Sequence, residues 1–296
     1  MQKSRRHHYI PQFWIKRWAD ENGFVKRYRK FGLKLDIRSE PPKSVGYFYN
    51  LYDLPEGLRQ DVSLEELFFK PLDDKASKVF ARLNEETNPT LDGEETATLA
   101  IFILSLLHRS PDSLAASREA AVKQYIGLRD EVREKYGELR TAADPPTFEE
   151  YESLEPANAP ERAFYRSFAN YMVNDNLIDF LANMHWRLFR RVDGMHPLLL
   201  SDDPIARTNG FKKKDGHLAF PLSPNTLIVG FFEKGFADQA VSIGPEPLFE
   251  AINRQTVGAA RHFVVADTER HTRFISNRFG RQLRPPFGEQ ILNRQN

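Results

Sequence analysis

The sequence predicts an α+β fold: a helix-rich central region with a small mixed or antiparallel sheet built from an early hairpin and late strands. Three observations carry this expectation. Apolar residues recur at three- and four-residue steps through the middle of the chain, as in Ala76, Val79, Phe80 and Leu83. Short β-branched and aromatic runs bounded by Gly and Pro occur near the start and again after residue 193. No repeat or low-complexity tract interrupts this order. With 296 residues, 41% of them hydrophobic, the chain has material for one large core. It reads as a single domain over 1–296: helix-rich in 1–192, sheet-containing in 193–280, and a loose tail over 281–296.

The first element is a short aromatic helix opened by Pro11, since proline suits the first helical position, where its missing N–H would have no partner. Phe13, Trp14, Ile15 and Trp18 give it an apolar surface. Gly23 to Leu35 reads as strand, turn and strand, with the turn at Phe31-Gly32. Gly46 to Tyr52 is a further aromatic strand. Ser63-Leu64-Glu65-Glu66 carries an N-cap signal for a helix, with Leu64, Leu67 and Phe68 on one face; Pro71 interrupts it, and Asp73 to Leu83 resumes. A central helix runs from Asp92 to Leu107 and stops before Pro111; a charged amphipathic helix follows over Ser113 to Leu139. Thr141 to Pro160 reads as a loop. Glu161 to Val192 is helical, kinked or split at Asn174-Asp175-Asn176. Then come strands at His196–Leu200, Leu227–Phe232 and His262–Ala266, a helix over Pro247–Gly258, and a last short helix over Glu269–Phe279.

The totals restrict function. Lys+Arg 42 against Asp+Glu 41 gives a formal charge of +1, so an anion site must be local rather than a global field. With no cysteine, disulfides, thiolate zinc and a cysteine nucleophile are excluded. The longest apolar run, Leu99 to Leu107, contains Ser105 and is too short to span a bilayer. The polar, basic N-terminus lacks the apolar core of a signal peptide. A cytoplasmic protein with no membrane association is expected.

Two polar features stand out. His7 and His8 precede the fixed start of the aromatic helix, where backbone N–H groups favour anions. Arg109 lies at the C-terminal end of the central helix, along its apolar seam; it either satisfies the last carbonyls and the helix dipole or points into a pocket beside the histidines. Arg187, Arg190 and Arg191 form a basic cluster that complements a helix dipole or touches phosphates.

The stretch Arg6-His7-His8-Tyr9-Ile10-Pro11-Gln12-Phe13 resembles the opening signature of the domain of unknown function 4238 family, a widespread and mostly bacterial one. Three later stretches resemble its other marks: the helix end His108-Arg109-Ser110-Pro111, Leu200-Ser201-Asp202-Asp203-Pro204, and Phe220-Pro221-Leu222-Ser223-Pro224 with Ile252-Asn253 downstream. Leu200 and Asp203 depart from the family's Thr and Asn, and Ser105 stands where a glutamine is expected. The resemblance covers nearly the whole chain. It implies that motif residues distant in sequence converge on one pocket.

The converging set is His7, His8, Arg109 and Asp202 as catalytic groups, with Gln12, Ser201 and Asn253 binding ligand. Phosphodiester hydrolysis suits it. A histidine of near-neutral pKa would act as acid or base, Arg109 would hold phosphate bidentately, and Asp202 would orient a histidine or hold a divalent metal such as Mg²⁺ or Mn²⁺. The expected activity is a nuclease or other phosphodiesterase, with phage defence as an associated role and nucleic acid or nucleotide as partner. A cluster of Lys212, Lys213 and Lys214 with the three arginines would favour the nuclease. The alternative is a non-enzymatic module that binds a nucleotide or a partner protein, with the same residues as a structural network in which Arg109 pairs with Asp202. No Gly-rich phosphate loop, Gly-x-Ser-x-Gly elbow or His-x3-His pair is present.

Overall fold

Pro11 opens its helix as the sequence requires, and the indoles of that helix reach far along the chain. Helix α1 (Gln12–Ile15) continues as a 3-10 turn through Trp18. Trp14 Nε1 donates to the carbonyl of Pro221 and Trp18 Nε1 to that of Leu198, each at 2.7 Å. The computed structural model that carries these contacts describes residues 5–53, 64–87, 89–208 and 213–286. Ser63, Lys212 and tail residues 287–296, all named above, lie outside them.

Among the described residues three antiparallel sheets form. The smallest pairs β1 (Arg6–His8) with β4 (Tyr47–Tyr49), setting His7 opposite Phe48 and His8 opposite Tyr47. Gly46 enters this pair at φ +69°, and a Cβ there would sit 3.0 Å from the Ile15 side chain, so only glycine fits. The second sheet joins the early hairpin β2 (Val25–Phe31) and β3 (Lys34–Glu40) to the late strands β6 (Leu200–Ser201) and β10 (Val264–Ala266), in the order β3-β2-β10-β6. The third has the order β5-β9-β8-β7, from β5 (His185–Arg190), β7 (Ala206–Thr208), β8 (His217–Ser223) and β9 (Thr226–Phe231).

Between these sheets run α2 (Lys70–Glu85), α3 (Gly93–Arg109), α4 (Pro111–Leu139), α5 (Phe148–Leu154), α6 (Ala159–Met172) and α7 (Asp175–Ala182). The end of the chain adds α8 (Lys234–Ile243), α9 (Pro245–Ala259) and α10 (Thr272–Arg278). Asp92 starts α3 with a full capping box to Glu95, and Ser110 caps α4. Helix α3 is buried almost all round from Thr98 to Arg109, as its apolar composition requires. Its Phe102 meets Phe80 and Trp14, and Trp14 meets Phe220, so one aromatic cluster joins α1, α2, α3 and β8.

The α+β expectation holds, and the early hairpin shares a sheet with late strands. Several local expectations fail. His185–Arg190 is a strand, not the end of a helix. Leu181, Met184 and Leu188 fit a helical period, but full pairing with β9 outweighs that local signal. Pro71 does not interrupt a helix. It lies in the first turn of α2, where proline is tolerated, after a π-helical turn over Glu65–Phe69. That wider turn leaves Leu67 66% exposed and buries Phe69, so Leu64, Leu67 and Phe68 do not share one buried face. The loop expected over Thr141–Pro160 contains α5, capped by Thr147. Of the strand expected at His196–Leu200 only Leu200 is paired, while β1, β7, β8 and α8 have no counterpart among the expectations.

Candidate functional site

Helix α3 ends at Arg109, whose side chain is wholly buried. Its guanidinium lies over the rings of Phe69 (5.5 Å) and Phe102 (5.3 Å), and Nη1 donates to Asp73 Oδ1 at 2.9 Å. Its Nε and Nη2 have no hydrogen-bond partner among the described residues. The helix ends there because Ser110 turns extended to cap α4, leaving the Arg109 carbonyl outside the helical ladder. The hydroxyl of Tyr52 donates to that carbonyl at 2.7 Å.

Tyr52 also fixes His7. Its backbone N–H donates to His7 Nδ1 at 2.9 Å, and the two rings stack with centroids 5.4 Å apart and planes within 3°. The accepting Nδ1 carries no proton, so in neutral His7 the proton is on Nε2, which faces Asp53 Oδ1 at 3.8 Å. His7 is therefore committed to holding the β1 end against residues 52–53.

His8 differs. It is partly exposed, and its Nε2 has no hydrogen-bond partner among the described residues. Burial, reinforced by the charges of Arg6, Arg109 and His7, lowers its pKa to about 4, against a hydrogen bond with the backbone of Lys43 that raises it. It is neutral at pH 7, so the near-neutral histidine acid or base expected from the sequence is absent at this position. Glu65 takes that range instead. Burial, then the negative charge of Asp73, raises it to about 7, with Arg109 opposing, and its Oε2 has no partner among the described residues. Burial likewise raises Asp73, against its contact with Arg109. Glu65 and His8 are thus partly exposed and both feel the charge of the wholly buried Arg109.

Asp202 does not pair with Arg109. Its two carboxylate oxygens accept four hydrogen bonds from the backbone N–H groups of Arg261, His262 and Phe263, at 3.1–3.2 Å. Burial raises its pKa, opposed by His262 and these three N–H groups. An oxygen pair so engaged fastens the turn into β10 and has little left for a metal or an imidazole. Ser201 Oγ accepts the N–H of Asp203 at 3.2 Å, an ordinary turn contact. Asn253 accepts from the Leu199 N–H at 2.8 Å and donates to the Pro197 carbonyl at 3.0 Å, pinning that segment to α9. Gln12 is exposed at the first residue of α1. His7, His8 and Arg109 come together; Asp202, Ser201 and Asn253 are engaged elsewhere.

The basic cluster does not form a free surface. Arg190 donates to the carbonyls of Leu83, Asn84 and Glu86, closing the C-terminal end of α2, and Arg191 donates to Asn225 and Met195. Arg187 reaches Asp238 at 3.3 Å. Helix-end compensation was the right physics for Arg190, but on a different helix.

Sequence reasoning missed Tyr52, Glu65 and Asp73. Glu65 and Asp73 passed as ordinary polar positions of a helix, and Tyr52 as one ring in an aromatic strand. The available signal was a carboxylate two residues beyond Pro71, within a segment rich in Phe and Leu.

Among the described residues no three His, Asp or Glu side chains are grouped to hold a metal ion. Among them, too, no helix is long and apolar enough to cross a membrane. The model of a family described as "Protein of unknown function (DUF4238)" matches residues 6–270. No curated protein and no solved structure matches the chain.

Proposed function

The chain belongs to the DUF4238 family, and from its buried Arg109 cluster we propose that it is a hydrolase of phosphodiesters, a nuclease or related phosphodiesterase. One observation carries this reading: a wholly buried guanidinium with two nitrogens, Nε and Nη2, that no described residue accepts from. Buried, unpaired charged donors are costly. A phosphoryl group offers two oxygens at the spacing of that fork.

The roles follow from the surroundings. Arg109 receives the phosphoryl oxygens and offsets the charge that develops on them. Glu65, raised to about 7, is poised as general base at neutral pH and takes a proton from the attacking water. The water oxygen bonds to phosphorus, the bond to the leaving oxygen breaks, and solvent protonates that oxygen. Neutral His8 supplies a ring N–H or lone pair to the substrate at the exposed edge. Asp73 and Tyr52 position Arg109 through its side chain and its carbonyl.

The test is hydrolysis of bis-p-nitrophenyl phosphate and of single- and double-stranded DNA and RNA, with Mg²⁺, Mn²⁺ or chelator present. The Glu65→Gln and Arg109→Lys variants are assayed beside the parent. Turnover lost in both, with the melting temperature retained, is the expected result; turnover unchanged in both overturns the assignment.

A second reading, a non-enzymatic module for a nucleotide or partner protein, is favoured by the enclosure of Arg109 and by the engagement of Arg187, Arg190 and Arg191 within the fold. It predicts no turnover on any of these substrates, with ligand binding that Arg109→Lys weakens.

A further inference from the structure

A separate cavity of about 610 Å³ lies between α9, α10 and the segment Gly194–His196. Helical spacing builds it. Glu246, Glu250 and Arg254 follow one another at four-residue steps along α9, with Phe249 and Asn253 beside them. Arg270, Phe274 and Arg278 do the same along the 3-10 turn Glu269–His271 and α10. The volume is that of a site for a small organic ligand.

The lining divides by chemistry. Phe249 and Met195 are buried and apolar. Arg278 lies over the Phe274 ring, 4.3 Å from its centroid. Arg254 is committed to Glu250 at 3.9 Å and Arg270 to Asp267 at 2.6 Å. Arg273 and Arg278 line the cavity and form no ion pair among the described residues, so neither charge is neutralised there by a carboxylate, although Arg278 stacks on Phe274. Asn253 is already used by the backbone of residues 197 and 199. His271 is 4% exposed, packs edge-on against His196 at 5.5 Å, and has an Nε2 without a hydrogen-bond partner among the described residues.

We propose that this cavity binds a nucleoside 5′-monophosphate. Arg273 and Arg278 hold the phosphate, and the base lies against Phe249 and Met195 within reach of His271. Two guanidiniums match a dianionic phosphate better than a single carboxylate. The apolar wall beside them needs a ligand that carries a flat, weakly polar body along with its charge, and a nucleobase has that form. Burial lowers His271 to about 4, so its imidazole is neutral at pH 7 and suited to a neutral base rather than a second phosphate. This site is independent of the hydrolase reading of the Arg109 cluster.

The test is isothermal titration of the full chain with AMP, GMP, CMP and UMP, beside adenosine and inorganic phosphate. At least one monophosphate is expected to bind about 10-fold tighter than adenosine and than phosphate, since each charge-assisted contact is worth about that factor. Arg273→Ala, on an exposed position, and Arg278→Gln are each expected to weaken it about 10-fold. Glu65→Gln is expected to leave it unchanged, which separates this site from the Arg109 cluster. No binding of any monophosphate at millimolar concentration overturns the proposal. So does phosphate binding as tightly as the nucleotide, adenosine doing so, or unchanged affinity in both arginine variants.

Discussion

Tyr52 holds Arg109 by its backbone carbonyl and not by its guanidinium. The phenol donates to the Arg109 carbonyl at 2.7 Å, while the Tyr52 N–H donates to His7 at 2.9 Å. One residue thus joins the histidine strand to the end of the central helix, and it takes none of the guanidinium's donors, of which Nη1 goes to Asp73. Tyr52→Phe keeps the ring stacked on His7 but strands a buried carbonyl. Urea unfolding should show a loss of about 1–3 kcal/mol.

The Arg109–Asp73 pair is buried on the arginine side and 17% exposed on the other. Removing one partner leaves an uncompensated charge. Asp73→Ala should therefore destabilise by about 3–5 kcal/mol. The double variant Arg109→Met/Asp73→Ala should recover most of that loss relative to Asp73→Ala, because it removes both desolvated charges. Thermal denaturation of the two singles and the double as a cycle measures this; a double no more stable than Asp73→Ala would contradict it.

Stability should depend on pH in opposite senses for two groups of residues. Glu65 rises from 4.5 to about 7 in the folded chain. Between those values the folded carboxyl keeps a proton that the unfolded one has released, so stability from this group falls as pH rises. His108 falls from 6.5 to about 4 through burial, and His271 does the same. Between about 4 and 6.5 the unfolded imidazoles hold protons that the folded ones lack, so stability from them rises with pH. Relative to the parent, Glu65→Gln should gain stability from pH 4.5 to about 7. His108→Phe should show a flatter rise between about 4 and 6.5. Chemical denaturation at half-unit pH steps reads both differences.

If Glu65 is the general base, phosphodiester turnover should climb with pH and reach half its plateau near pH 7. Glu65→Gln should lower kcat by about 10²–10⁴-fold. His8→Gln should change KM more than kcat, because a neutral imidazole that binds the substrate donates no proton in the slow step. A half-plateau below pH 5 would remove Glu65 from that role.

Arg190 and Arg187 occupy one strand but should behave differently. Arg190 caps α2 through Leu83, Asn84 and Glu86, so Arg190→Ala should cost about 3 kcal/mol. Arg187 meets a half-exposed Asp238, and Arg187→Ala should cost under about 1 kcal/mol. Guanidinium denaturation of the two variants separates them.

Much was legible along the chain. The α+β class, α3 with its Asp92 start, the break at Asn174, the Phe31-Gly32 turn and the membership shown by the 6–270 match all follow from local patterns. Each is a short-range matter of periodicity, caps or turns. The alliance of His7 and His8 with Arg109 was also expected. Its partners were not, because nothing local distinguishes Glu65 or Asp73 from any solvated carboxylate.

Only the tertiary structure decided which carboxylate meets Arg109, and that Asp202 spends its oxygens on backbone N–H groups. It also made a strand of His185–Arg190 and moved the near-neutral pKa from a histidine to Glu65. These outcomes share one cause. Ion pairing, strand pairing and desolvation depend on what packs against a residue from far along the chain, and spacing in sequence carries no record of that neighbour.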